Sequence, residues 1–302
     1  MNPHPKHNEQ KSLKNIRLAF SLNLSFAIFE LIGGIWINSL AIISDAIHDF
    51  GDSFSLGLSW FLEKVSKRKR SKGFSYGYKR FSLLAAFING VILLVGSLFV
   101  LSKAIPRLIN PEHANAKGML VFALVGIAVN GIAAFRLKKG SSINEKVVSW
   151  HLFEDVFGWV AVLIVSIISL IKDIHILDPI LSILISLYIL YKVVKNLRAT
   201  SFIFLQGVPK EIKIEEIEKK MKTLPAIVAV HDTHVWSLDG ENNILTTHIM
   251  VKSGLSKEDK INLKRDTKEI VQTYDIYHST IEIEEEGDEC LLDGENCKPE
   301  HI

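Results

Sequence analysis

A bundle of six membrane-spanning helices followed by a small soluble α/β domain is the architecture the sequence predicts, and three observations predict it. The chain has 302 residues, 48% of them hydrophobic, and a mean hydropathy of only +0.23, an average that joins two unlike parts. Apolar residues dominate up to roughly residue 195 and mixed polar sequence follows. Six apolar segments, Leu18 to Ile37, Leu40 to Phe61, Phe81 to Ile105, Met119 to Phe135, Val147 to Ile171 and Ile176 to Val194, each approach the ~20 residues that cross a hydrocarbon core. Lys and Arg then gather on alternate connections. Lys6, Lys11, Lys14 and Arg17 precede the first span, Lys64 to Arg80 carries eight basic residues, Arg136 to Lys146 carries four, and Lys192, Lys195 and Arg198 close the sixth. The other connections hold few, so both termini are expected in the cytoplasm and the chain in the inner (cytoplasmic) membrane.

Taken in order, residues 1–15 are polar, include His4 and His7, and are expected to be flexible. This Lys-rich start leads into a full-length span without a small-residue cleavage site, so the first helix is expected to stay. Spans one and two meet at Asn38 as a tight hairpin, with Gly33 and Gly34 allowing close helix approach. The Lys67 to Lys72 run, placed between two spans, reads as an orientation signal and headgroup contact rather than a nucleic-acid patch. Net charge is +2, and no nucleic-acid partner is expected. Pro106 and Pro111 are expected to end the third span and mark a loop from Ile105 to Gly118, while Pro179 fits the first turn of span six, where a missing N–H is harmless. These spans form an expected membrane domain over residues 16–200.

Beyond Arg198 the pattern becomes αββαβ over residues 201–286. Ile212, Ile214, Ile217 and Met221 give helical spacing within Lys210 to Leu224. Ala226 to Leu238 and Ile244 to Val251 read as strands around an Asp239-Gly240 turn. Ser256, followed by Lys257, Glu258 and Asp259, starts a helix to about Tyr274, and Ser279 to Glu284 is the last strand. The order resembles a ferredoxin-like domain lacking its first strand. Roughly 90 residues make a marginal core, so a homodimer is expected. The tail, residues 287–302, holds both cysteines, Cys290 and Cys297, expected as thiols in a reducing cytoplasm and at a spacing that matches no standard zinc finger.

The chemistry sits in spans two and five. His48 with Asp52, and His151 with Asp155, each stand four residues apart, so each pair shares one helix face. Ionisable groups at membrane depth face a bundle interior or cavity and mark ion pathways. Two imidazoles and two carboxylates suit a tetrahedral divalent metal, zinc above all. The two spans run in opposite directions, so packing them together sets each His near the other helix's Asp. Imidazole, with a reference pKa near ~6.5, and carboxylate must both be deprotonated to bind metal; metal entry expels protons and protons expel metal. That is the minimal physics of a metal/proton antiporter. No Gly-x-x-x-x-Gly-Lys-Ser/Thr loop is present to supply nucleotide binding. Glu30 and Asp45 are expected nearer the ends of their spans, within reach of water, and Asp49 is rotated ~100° away from His48.

The stretch Ser39-Leu-Ala-Ile-Ile-Ser-Asp-Ala-Ile-His48-Asp-Phe-Gly-Asp52, the segment Tyr76-Gly-Tyr-Lys-Arg80 followed by Leu84-Ala-Ala and Asn89-Gly90, and His151-x-x-x-Asp155 resemble the cation diffusion facilitator family, and its bacterial zinc, cobalt and cadmium exporter branch most. The resemblance implies a homodimeric exporter with zinc as transported substrate and as regulatory ligand. It departs at Ser82, where many members carry Glu. It also implies a cytoplasmic metal site, for which His231, His248, His278 and Glu282 are the candidates among a wider set that includes His234 and Glu284. Two other readings stay beside it, an intramembrane metalloenzyme and a metal-sensing membrane scaffold. The enzyme reading lacks a His-Glu-x-x-His signature.

Overall fold

The computed structural model describes residues 5–66, 70–138, 143–172 and 174–287. Cys290, Cys297 and the rest of the C-terminal tail lie outside the described residues, as does His4. Six long helices come first: α1 Pro5–Trp36, α2 Leu40–Ser66, α3 Arg80–Ile109, α4 Ala116–Lys138, α5 Ile143–Lys172 and α6 Leu177–Phe204. Then follow α7 Ile214–Met221, β1 Ile227–Ser237, β2 Asn243–Val251, α8 Lys257–Gln272 and β3 Ile276–Glu285. Among the described residues, four helical stretches are long and apolar enough to cross a membrane: Arg80–Ile109, Ala116–Lys138, Ser149–Lys172 and Leu177–Phe204. A shorter apolar stretch, Asn23–Trp36, lies in α1, and α2 carries Asp45, Asp49 and Asp52 along its length.

The chain divides into two compact units, Met1–Lys64 with Leu84–Leu197, and Val65–Leu83 with Arg198–Ile302. In the first, Phe26, Ile42, Met119, Phe122 and Trp159 form a buried core between α1, α2, α4 and α5. Gly33 and Gly126 exist to let this core close. A Cβ on Gly33 would sit 1.9 Å from Phe122 Cζ, and one on Gly126 2.2 Å from Trp159 Cδ2. The α1–α2 turn is held from two sides. Asn38, in the left-handed region at φ 57, accepts from Arg107 at Oδ1 (2.6 Å) and at its carbonyl (3.2 Å). On the other side, Asp178 at the start of α6 is buried and accepts from Ser39 Oγ (2.5 Å), Leu40 N (2.8 Å) and Ala41 N (3.3 Å), so it caps α2 from a different helix. Pro106 does not end α3. It lies inside the helix, which continues to Ile109, because proline removes a single i→i−4 bond and the Asn110 N–H still donates to the Pro106 carbonyl at 3.0 Å.

In the second unit the sheet order is β1-β2-β3, with β1 and β2 antiparallel and β2 and β3 parallel. A parallel neighbour requires a crossover, and α8 supplies it. Ser256 and Asp259 close a capping box at the start of α8. Asp239 accepts from Glu241 N and Asn242 N at the hairpin turn, where Gly240 has φ +99. Ile217, Met221, Val230, Leu245, Ile249 and Val251 are fully buried on one side of the sheet, packed by α7 and α8. The first helix is shorter than its apolar spacing predicts, since it starts at Ile214 and the preceding turn instead closes with the Ile212 N–H donating to Pro209 O. Lys260 of α8 pairs with Glu285 of β3, and that hydrogen bond holds the Glu285 carboxyl below its ordinary value. Lys79, in the connection before α3, donates to Asn242 Oδ1 and lies 3.7 Å over the Tyr277 ring.

The α4–α5 contact makes a direct prediction. Gly126→Val pushes branched carbon into the Trp159 ring and should cost about 1–3 kcal/mol by overpacking. The midpoint of thermal aggregation followed by size-exclusion fluorescence should fall well below wild type; an unchanged midpoint would contradict the packing described here.

Candidate metal centre

The two His-x-x-x-Asp pairs meet between α2 and α5. His151 Nε2 lies 2.7 Å from Asp52 Oδ2, His48 Nε2 lies 3.6 Å from the same oxygen, and His151 Nδ1 lies 3.9 Å from Asp155 Oδ1. The His48 and His151 rings stand edge to face with centroids 5.8 Å apart. One nitrogen from each His and one Asp155 oxygen fall within 4.8 Å of one another. The i,i+4 spacing aligns each pair along its own helix, and the antiparallel approach brings α5's His to α2's Asp, as the sequence predicts. Asp155 is buried, while the two histidines and Asp52 are part-exposed. His48 Nδ1 and Asp155 Oδ2 are buried without a hydrogen-bond partner among the described residues. Buried polar atoms without partners are costly, and a cation completes a donor set of this kind.

His48 lines two clefts. One, of about 390 Å³, includes Asp45, Glu154 and Asp155 in its wall; the other, of about 250 Å³, includes Asp52, Asn89, His151 and Lys192. Glu154 does not join the cluster, because Lys192 Nζ holds its Oε2 at 2.6 Å. The expectation that Glu30 and Asp45 sit within reach of water is overturned for Glu30, whereas Asp45 keeps an edge on the cleft of about 390 Å³. Glu30 is fully buried and Asp45 is 5% exposed. Gly158 of α5 faces Asp45, with a Cβ position 3.7 Å from Asp45 Oδ1, and lines the same cleft. Asp49 is fully buried and stays out of the cluster, in keeping with its rotation around α2.

The sheet carries a second constellation. His231 and His248 are register partners across β1 and β2, and Glu282 pairs with His248 across β2 and β3. His231 Nε2 lies 3.2 Å from Glu284 Oε2, and His248 Nδ1 lies 2.6 Å from Glu284 Oε1. His248 Nε2 is 3.6 Å from Glu282 Oε2 and 3.9 Å from Asp232 Oδ2. Glu284, rather than Glu282, therefore completes the tight trio with the two histidines. The period of two could have found it, since residues 282 and 284 share a face of β3. His278 is a correction. It lies four residues before Glu282 along β3, about 13 Å away at strand rise, and its ring packs on Tyr76 at 5.8 Å. His234 is also elsewhere, exposed and bonded to Asp232 at 2.9 Å, because the strand is irregular between His231 and His234, where Asp232 takes φ 49.

Residues 16–205 match the sequence profile of the cation efflux transmembrane domain, and residues 209–286 that of the cation efflux protein cytoplasmic domain. Among known relatives, the "Cadmium, cobalt and zinc/H(+)-K(+) antiporter" of Bacillus subtilis is 30% identical, over 97% of this chain and 95% of that protein. The "Metal cation efflux system protein CzcD" of Cupriavidus metallidurans is 31% identical, over 93% and 88%. The "Zinc transporter ZitB" of Escherichia coli is 28% identical, over 94% and 92%. These are transporters rather than enzymes. With its apolar helices, its paired His and Asp residues on α2 and α5, and both parts of the chain matched, this protein belongs to the cation efflux family, the cation diffusion facilitators, and is a multi-pass membrane transporter.

Proposed function

We propose that this protein exports zinc, with cadmium or cobalt as lesser substrates, from the cytoplasm in exchange for protons, and that His48, Asp52, His151 and Asp155 bind the metal in transit. The observation that carries the reading is the convergence of these four side chains from two antiparallel helices, two of them with buried polar atoms left without a partner. Two carboxylates offset a 2+ charge, and imidazole with carboxylate suits zinc. Each ligand can carry a proton when the metal leaves, so metal and proton compete for one set of atoms. His48 borders both clefts, which gives the ion a way on and a way off past the same imidazole. The names of the relatives, an antiporter of zinc, cobalt and cadmium and a zinc transporter, support the same substrates.

In this reading all six long helices span the inner membrane with both termini in the cytoplasm. The first helix qualifies through the apolar run Asn23–Trp36, and the second despite its aspartates because these face other helices. The αββαβ unit is a ferredoxin-like domain without its first strand, a reading its sheet supports: deleting that strand from a four-stranded 4-1-3-2 order leaves the last two strands adjacent and parallel, as β2 and β3 are. It serves as the dimerisation domain, and its His231, His248 and Glu284 trio, with Glu282 beside it, is a regulatory zinc site.

Proteoliposomes under an imposed pH gradient test the transport reading. Wild type should take up zinc, and Asp155→Ala or Asp52→Ala should lose uptake by about 100-fold or more while inserting and dimerising normally. Retained flux in both variants would sink the site assignment. Because protons compete for the ligands, apparent zinc affinity should rise as pH is raised on the side from which zinc enters. A flat response would remove proton exchange from the mechanism. For the sheet, Glu284→Gln in an Asp52→Ala background should weaken zinc binding by about tenfold in calorimetry. Unchanged affinity would leave the trio a network of hydrogen bonds only.

A further inference from the structure

Where α1 turns into α2, two histidines outside the α2–α5 cluster lie against each other. His113 stands in the connection from α3 to α4 and His175 in that from α5 to α6, with ring centroids 3.7 Å apart at an interplanar angle of 58°. His113 is exposed and His175 half-buried. Both connections are tied to the same short turn. On one side Asn38 Nδ2 donates to the His113 carbonyl (3.3 Å) and Asn115 N donates to the Ile37 carbonyl (2.9 Å). On the other, Asp178, three residues after His175, accepts from Ser39, Leu40 and Ala41. Two separate latches on residues 37–41 thus set the imidazoles in place before any ligand arrives.

Two nitrogens around a tetrahedral zinc, at roughly 2.0–2.1 Å from the ion, stand roughly 3.3 Å from each other. Because each nitrogen lone pair points away from its own ring, a tetrahedral pair sets the ring centroids roughly 5 Å apart, so the His113 and His175 rings, now 3.7 Å apart, swing apart about their χ angles to admit the ion. Glu112 beside His113 is already committed, to Arg107 at 2.5 Å and Asn38 at 3.2 Å, so the donors argued for here are the two imidazoles. Imidazole pairs favour zinc and its neighbours over calcium or magnesium. We propose that His113 and His175 form a second divalent-metal site that chelates a zinc-class ion between the α3–α4 and α5–α6 connections. A pair of imidazoles holds such an ion weakly and exchanges it quickly. In the topology proposed above this end of the bundle is the outer one, so the site would meet the ion as it leaves; that placement rests on the proposed function, and the binding itself does not.

The test is residue-resolved labelling of the full-length protein with diethyl pyrocarbonate, read by peptide mass spectrometry across a titration with zinc chloride. Zinc should suppress labelling of His113 in wild type. In His175→Ala the midpoint of that suppression should move up by about tenfold or more, and His175→Cys, which supplies another zinc ligand, should restore it. Suppression of His48 and His151 in the same digests reads the α2–α5 centre separately, so failure of the transport reading and failure of this one are told apart. The proposal is overturned if zinc leaves His113 labelling unchanged in wild type, or protects His113 at the same midpoint in His175→Ala.

Discussion

The carboxylate of Asp178 is the tie on which the membrane unit depends. Helix starts expose N–H groups that an apolar interior cannot satisfy, and α2 begins in such a place, with Ser39, Leu40 and Ala41 all buried. Beside a long local cap, in which Ser39 Oγ accepts from Ile42 N at 3.4 Å, the chain uses an acid from α6, so satisfying the end of α2 also fixes two helices to each other. His48 stands about two turns beyond that tie and Asp52 one turn further. The depth of His48 and Asp52 on α2 is therefore set by a hydrogen-bonded end rather than by apolar packing, which is tolerant of sliding.

That rigidity matters because the α2–α5 centre is assembled from unlike demands. On the proposed function its four side chains must be near enough to share an ion, yet the ion must come and go. Trp159, one turn past Asp155 and close against Gly126 of α4, packs α5 onto α4, while clefts open on either hand of His48. Glu30, Asp45 and Asp49 lie buried in the same unit, an unusual density of acid for an apolar bundle.

Much of this was legible in the sequence because it depends on short-range periodicity. Four-residue spacing placed His48 with Asp52 and His151 with Asp155, and opposite span directions put α5's His against α2's Asp. The αββαβ order followed from alternation, the Asp239-Gly240 turn and the Ser256 cap, with boundaries good to a few residues. What escaped depends on three-dimensional packing. The burial of Glu30 arises from how the helices pack in three dimensions, which hydropathy cannot register. Pro106 was read as a stop although a helix survives the loss of one bond. In the sheet, alternation identifies a face but not a position along it, so the sequence does not separate His278 from the residues beside His248 or single out Glu284 from the wider set. The Asp232 irregularity, a single residue at positive φ, decides that His231 and not His234 meets His248.

The parallel pairing of β2 with β3 has a consequence for how the soluble unit comes into being. His231 and His248 arrive together on a hairpin, a local structure that closes quickly, but Glu284 comes from the strand that must first travel across the sheet through α8. Long-range pairing of this kind is the slow part of assembling a small α/β domain. The histidines are thus in place before the carboxylate that joins them, and on the proposed reading of the trio as a zinc site an ion held by all three rewards only the finished sheet. Under such linkage, free metal in the surrounding solution acts as a folding ligand, shifting the balance toward chains whose last strand has docked.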